Sequence, residues 1–250
     1  MVGTQVVGTQ GRRVERIPFI IGVNFGEQQD ATAIVSVEME ARILHPGDIA
    51  SGTPAPSDTH FLVRDMQRLP PATDDARICA ALAALVRQVH TRSYRFRLFL
   101  VCGQAGSGRP LVQQVRKTFA ECGLQRICPV SCVTITGNTR AGARVLDGMD
   151  AVVGEAVLVQ RVQHLVHTKR VHAAPTSGAE AVGRELAAIE FALAEHVHDL
   201  SGGRKVGQHD DYVIALALAC MGDLAGVGWG RDYCGPEFLG PLDSRAGLTT

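Results

Sequence analysis

Two adjacent carboxylates, Asp210 and Asp211, stand at the head of the run Tyr212-Val213-Ile214-Ala215-Leu216-Ala217-Leu218-Ala219. The run is almost wholly apolar, so a helix built from it has no face for water and must be buried all round. Its polar first turn is therefore aimed into the protein or into a cleft. Two chemistries suit acids placed there. In one, Asp210 caps the helix by accepting orphan backbone N–H groups, and Asp211 complements the positive end of the helix dipole. In the other, one or both carboxylates hold a divalent cation, because hard cations such as Mg²⁺ take oxygen ligands.

A second stretch with the spacing of a chemical motif is Gly103-Gln104-Ala105-Gly106-Ser107-Gly108-Arg109-Pro110. Its glycines match the phosphate-binding pattern G-x-x-x-x-G between a strand and a helix, but Arg109 stands at the lysine position and Pro110 at the magnesium-binding hydroxyl position. ATP binding is not expected, and the glycines suit a tight strand-to-helix turn with Pro110 at the first helical position. The seven cysteines, at 79, 102, 122, 128, 132, 220 and 234, sit mostly in apolar runs, as buried thiols in a reducing compartment do. Cys128 and Cys132 lie four apart, and no second Cys/His pair completes a tetrahedral zinc set.

The elements that must position these residues belong to a chain of 250 residues, long enough for one large domain or two small ones. Formal net charge is zero, so any contact with nucleic acid must rest on a local patch. No apolar run reaches membrane-spanning length and Met1–Gln10 lacks the form of a signal peptide, which leads to the expectation of a soluble cytoplasmic protein with no membrane partner. Residues 1–17 read as a flexible basic leader carrying a duplicated Gly-Thr-Gln unit. Phe19–Val23 and Thr32–Val37 then pattern as a strand hairpin, residues 44–57 as a surface loop, and His60–Arg64 as a third strand. A helix from about Thr73, its expected cap, presents Ile78, Leu82, Leu85, Val86 and Val89 on one face. Arg97–Cys102 and Pro129–Ile135 read as buried parallel strands, with a helix carrying Leu111, Val115 and Phe119 between them. A Gly- and Arg-containing loop spans 136–148, helical patterns follow at 152–166 and 177–194, and a short strand candidate lies between them at Lys169–Ala173. After the Asp210-Asp211 helix, residues 223–250 form a Gly- and Pro-rich tail without periodicity.

Three strands in a meander, then helix, strand, helix, strand and helices, make an α/β class with a mixed β-sheet flanked by helices, the ribonuclease H-like arrangement, here over residues 18–222. Within that order, Ile21-Gly22-Val23-Asn24-Phe25-Gly26 with Asp30-Ala31-Thr32-Ala33-Ile34, Phe99-Leu100-Val101-Cys102-Gly103 with Gly106-Ser107-Gly108-Arg109-Pro110, Val133-Thr134-Ile135-Thr136-Gly137 and Gly207-Gln208-His209-Asp210-Asp211 resemble the nuclease domain of viral terminase large subunits, of phage or prophage type. That family also carries an upstream ATPase domain, and the resemblance here covers the nuclease half alone.

The resemblance implies a metal-dependent DNA endonuclease of viral packaging. In that family, acids at the end of the first strand, at the end of the central parallel strand and at the last helix converge on Mg²⁺ or Mn²⁺. Matched residue by residue, the last is Asp210 and Asp211, but the first is Asn24 and the second Gly103, an amide and no side chain at all. Metal binding is therefore expected to be weak or absent and cleavage impaired or lost. Glu27 and Asp30 lie close enough in sequence to act as substitute ligands, or are solvated turn acids. His209 could ligate a metal or orient a water, or serve as a hydrogen-bonding support. Double-stranded DNA is the implied partner, with Arg140, Arg144, Arg204 and Lys205 as candidate phosphate contacts, and a packaging ATPase domain, small terminase subunit or portal as assembly partners. The other reading keeps the fold and drops the chemistry: a non-catalytic DNA-binding or packaging-assembly module.

Overall fold

The computed structural model describes residues 6–7, 13–14, 17–26, 30–43, 57–92, 96–105, 111–137, 144–145, 150–195 and 211–220. Strands β1 (Val6–Val7) and β2 (Arg13–Val14) pair as a separate two-stranded sheet within what the sequence suggested was a flexible leader. Then β3 (Ile17–Asn24), β4 (Thr32–Ile43) and β5 (Ser57–Leu69) form the expected antiparallel meander. Helix α1 (Asp75–Arg92) leads to β6 (Phe96–Ala105), and α2 (Leu111–Glu121) leads to β7 (Val130–Thr136). Strands β8 (Arg144–Val145) and β9 (Ala151–Gly154) precede α3 (Glu155–His167), after which come β10 (Val171–Ala173), α4 (Ser177–Glu195) and α5 (Asp211–Cys220).

The main sheet runs β10-β5-β4-β3-β6-β7-β9-β8. Strands β3, β6, β7 and β9 are parallel neighbours, and β10 adds in parallel to the far side of the meander. This mixed sheet with helices on both faces is the ribonuclease H-like arrangement that the element order predicts. Its central strands read as continuous apolar runs because both of their faces are covered. On one face Ile21, Val23, Leu98, Leu100 and Cys102 pack under α1 and α2; on the other, Ile20, Phe99, Val101, Val133 and Ile135 pack under α5, with α3 and α4. Among the described residues no helix is long and apolar enough to cross a membrane.

Several boundaries differ from the sequence expectation, each for a local reason. Asp74 caps α1, its Oδ1 accepting from Arg77 N–H at 2.8 Å, while the Thr73 hydroxyl instead donates to Pro70 C=O. The third strand is much longer than His60–Arg64, since β4 extends to Ile43 and pairs with β5 throughout; the polar Asp65 and Gln67 hide this extension from a hydropathy reading. Val152 and Val153 are strand and not helix, because β9 pairs in parallel with β7 before α3 begins. Arg144, expected in a loop, lies in β8 at the sheet edge. Residues 44–56, 106–110 and 223–250 lie outside the described residues, and with them the surface loop, most of the glycine-rich motif and the tail.

Candidate functional site

All ten residues of α5 are buried, as its apolar sequence requires. The helix crosses the sheet over β4, β3 and β6, with α3 and α4 against its outer side. It can lie this close because β3 carries Gly22 beneath it. A Cβ built on Gly22 would stand 2.1 Å from Ala215 C=O oxygen and 2.5 Å from Ala219 N. Ala215 and Ala219 are one turn apart, so two small residues of the helix meet one glycine of the strand.

Side chains from the two covering helices close both ends of α5. At its start, Glu185 of α4 accepts backbone N–H groups of Tyr212 at 3.0 Å and Val213 at 3.1 Å with one carboxylate oxygen, Oε2. At its end, Arg161 of α3, itself 6% exposed, donates from Nε at 3.0 Å and from Nη2 at 2.8 Å to Cys220 C=O. The negative group thus faces the positive end of the helix dipole and the positive group faces the negative end. The other oxygen of Glu185, Oε1, accepts from Arg68 Nη2 at 2.5 Å. The same Arg68 nitrogen lies 3.7 Å from Asp211 Oδ2, and its guanidinium sits 4.4 Å from the centre of the Tyr212 ring. Burial pushes the Glu185 carboxyl up from its ordinary pKa and outweighs both the Val213 N–H and the Arg68 guanidinium, which favour the charged form. Burial likewise raises the Tyr212 phenol.

The sheet register shows where the sequence-predicted residues stand. Arg68, Ala33, Asn24, Gly103 and Val133 form one row across β5, β4, β3, β6 and β7. Asn24 ends β3 as expected and is half-buried. Gly103 lies inside β6, followed by Gln104 and Ala105, and is not the strand end or the opening of a turn. A Cβ there would meet Leu218 Cδ1 at 2.5 Å and Ile135 Cδ1 at 3.0 Å, so the position faces the apolar core. Leu218 is seven residues beyond Asp211, which puts it about 10 Å further along the helix axis. The register brings Asn24 and Gly103 side by side, whereas Asp211 joins Arg68 and Glu185. Asp30 is exposed in a bend, and Glu27, His209, Asp210, Arg140, Arg204 and Lys205 lie outside the described residues.

Arg68 and Glu185 escaped the sequence reading. A signal for Glu185 was present, because it falls on the buried face of α4 between Val182 and Leu186, where an acid requires a partner. Among the described residues the donor set does not fit a two-cation centre: it offers an amide at Asn24, nothing at Gly103, and two carboxylates already facing a guanidinium. Among the described residues, no group of three or more His, Cys, Asp or Glu side chains could hold a metal ion.

No family model and no curated protein matches the chain. Among solved structures it is similar to the large terminase nuclease from thermophilic phage G20c, at 14% identity and a TM-score of 0.38 over 82% of each chain. It is also similar to the Mn-soaked human cytomegalovirus terminase nuclease domain, at 11% identity and a TM-score of 0.45 over 82% of this chain and 83% of that one. A third similar structure is Thermus thermophilus RuvC, at 11% identity and a TM-score of 0.34 over 82% of this chain and 92% of that one. By its own strand order and helix placement, the chain has a ribonuclease H-like fold.

Proposed function

We propose that the chain is a nuclease-like domain of the terminase large-subunit type, taking part in viral DNA packaging, with phosphodiester cleavage impaired or lost and binding to double-stranded DNA retained. The observation that carries this reading is the row Arg68, Ala33, Asn24, Gly103 beneath α5. A cut made with two cations needs several carboxylates around the attacked phosphate. Here two of the positions that should supply them hold an amide and a glycine turned toward Leu218, and Asp211, the member of the acid pair that lies among the described residues, faces an arginine. The same observation favours a non-catalytic DNA-binding or packaging-assembly module over a slow nuclease, since Glu185 and Asp211, among the described residues, already have a counter-charge.

Incubation with supercoiled plasmid in Mn²⁺, alongside a gel-shift titration at rising salt, tests the proposal. No nicking is expected, together with DNA binding that is indifferent to sequence and weakens as salt rises. Mn²⁺-dependent nicking that disappears in Asp211→Asn would overturn it and point to acids outside the described residues, Glu27 or Asp210 among them.

A further inference from the structure

We infer that Arg68 is the resident cation of this site, holding Glu185 and Asp211 in place of a divalent ion and keeping the acid pair closed to Mg²⁺ and Mn²⁺. One guanidinium nitrogen, Nη2, approaches both acids, at 2.5 Å from Glu185 Oε1 and 3.7 Å from Asp211 Oδ2. A bridging cation would have to take Glu185 Oε1 from Arg68, because Glu185 Oε2 is already committed to two backbone N–H groups of α5. The guanidinium is also fixed on its flat face by the Tyr212 ring, so it cannot be displaced without losing that contact. A dication entering beside it would meet a like charge only a few ångströms away; Glu185 and Asp211 are 6% and 5% exposed, and the Arg68 side chain, at 34%, leaves that repulsion reduced but not removed by water.

Arg68 occurs where it does because β5 runs on to Leu69, beyond the apolar His60–Arg64 segment, and brings its last turn of alternation under the head of α5. A shorter third strand would leave the acids without this partner. Arginine suits the role better than lysine, since its planar head can face two carboxylates and an aromatic ring at once.

This inference rests on reading the head of α5 as the former metal position, but its test measures metal binding and not cleavage. Mn²⁺ binding to the intact chain is measured by loss of the free-ion EPR signal and by thermal melts with and without Mn²⁺, for the parent, Arg68→Gln and Arg68→Lys. The parent and Arg68→Lys are expected to bind no Mn²⁺ at millimolar concentration and to melt alike with or without it. Arg68→Gln is expected to gain saturable binding, roughly tenfold tighter than the parent or more, and to lose it again when combined with Asp211→Asn. If Arg68→Gln shows no cooperative melt in chelator, Mn²⁺ is expected to restore one, and failure to do so overturns the inference. So does a folded Arg68→Gln that binds no better than the parent. In that case a parent that neither binds nor cuts leaves the proposed function standing, whereas a parent that binds Mn²⁺ tightly and nicks plasmid overturns both.

Discussion

Glu185 gives one carboxylate oxygen to Arg68 and the other to the first turn of α5, yet the cost of taking its charge out of water still dominates its titration. The sign follows from linkage. A carboxyl whose folded pKa is raised contributes stability that is fully present below its unfolded value, about 4.3, and is lost as pH rises through the folded value. Parent stability should therefore increase, relative to Glu185→Gln, as pH is lowered from neutrality toward that unfolded value, because glutamine never carries the burdened charge. Urea midpoints of the two proteins at several pH values test this, and the carboxylates remote from Glu185 and Arg68 cancel in the difference. A gap that stays constant with pH would mean that Glu185 is not desolvated as the geometry implies. At this scale the sequence was half legible. The buried surroundings of Asp211 could be read from the apolar run behind it, but its partners could not, because Arg68 and Glu185 are 117 residues apart and meet only through the sheet order.

The helix α5 depends on a neighbour that carries no chemistry of its own. Gly22 sits where the helix crosses β3, and the nearest atoms are helix backbone, which cannot rotate aside as a side-chain tip can. Gly22→Ala should therefore cost about 3 kcal/mol or more, as overpacking against fixed atoms does. Gly183→Ala, in the interior of α4 with nothing within 4 Å of the added methyl, is the control and should gain roughly 0.5–1 kcal/mol from helix propensity. Denaturant unfolding of both variants measures the contrast. A tolerated Gly22→Ala would place α5 further from the sheet than described. At this scale the helix itself, its burial and the meander were legible, since each rests on local periodicity. The close approach of Gly22 to α5 and the capping of α5 by Glu185 and Arg161 were not, because they arise from which helices the sheet order stacks on which face. Gly103 was misplaced for a related reason: a glycine-rich stretch reads as a turn, although its first three residues continue β6, Gly103 paired with both β3 and β7 and Gln104 and Ala105 with β7.

One sheet with a core on each face raises the question of whether the two cores unfold together, and the cysteines are placed to answer it. Cys79, Cys102, Cys128 and Cys132 lie in the core under α1 and α2, whereas Cys220 lies in the core around α5. All five are buried, and Cys122, beyond the end of α2, is exposed. Burial raises the thiol pKa of Cys79, Cys102, Cys128 and Cys132, so each is poor in the reactive thiolate as well as hidden from reagent. In native buffer a thiol reagent should modify Cys122 within minutes and leave these five untouched. With increasing denaturant, peptide mapping by mass spectrometry follows each cysteine separately. Strands β3 and β6 supply residues to both faces, Ile20 and Phe99 to one and Ile21 and Leu100 to the other, so neither core can open without disturbing the strands that carry the second. The expected outcome is one common denaturant midpoint for Cys102, Cys128 and Cys220, as for a single cooperative unit. Earlier labelling of Cys220 alone would show that α5 detaches while the opposite core persists. The head of α5, with Asp211, would then be a locally mobile element, and its contact with Arg68 would be made and broken in the folded protein.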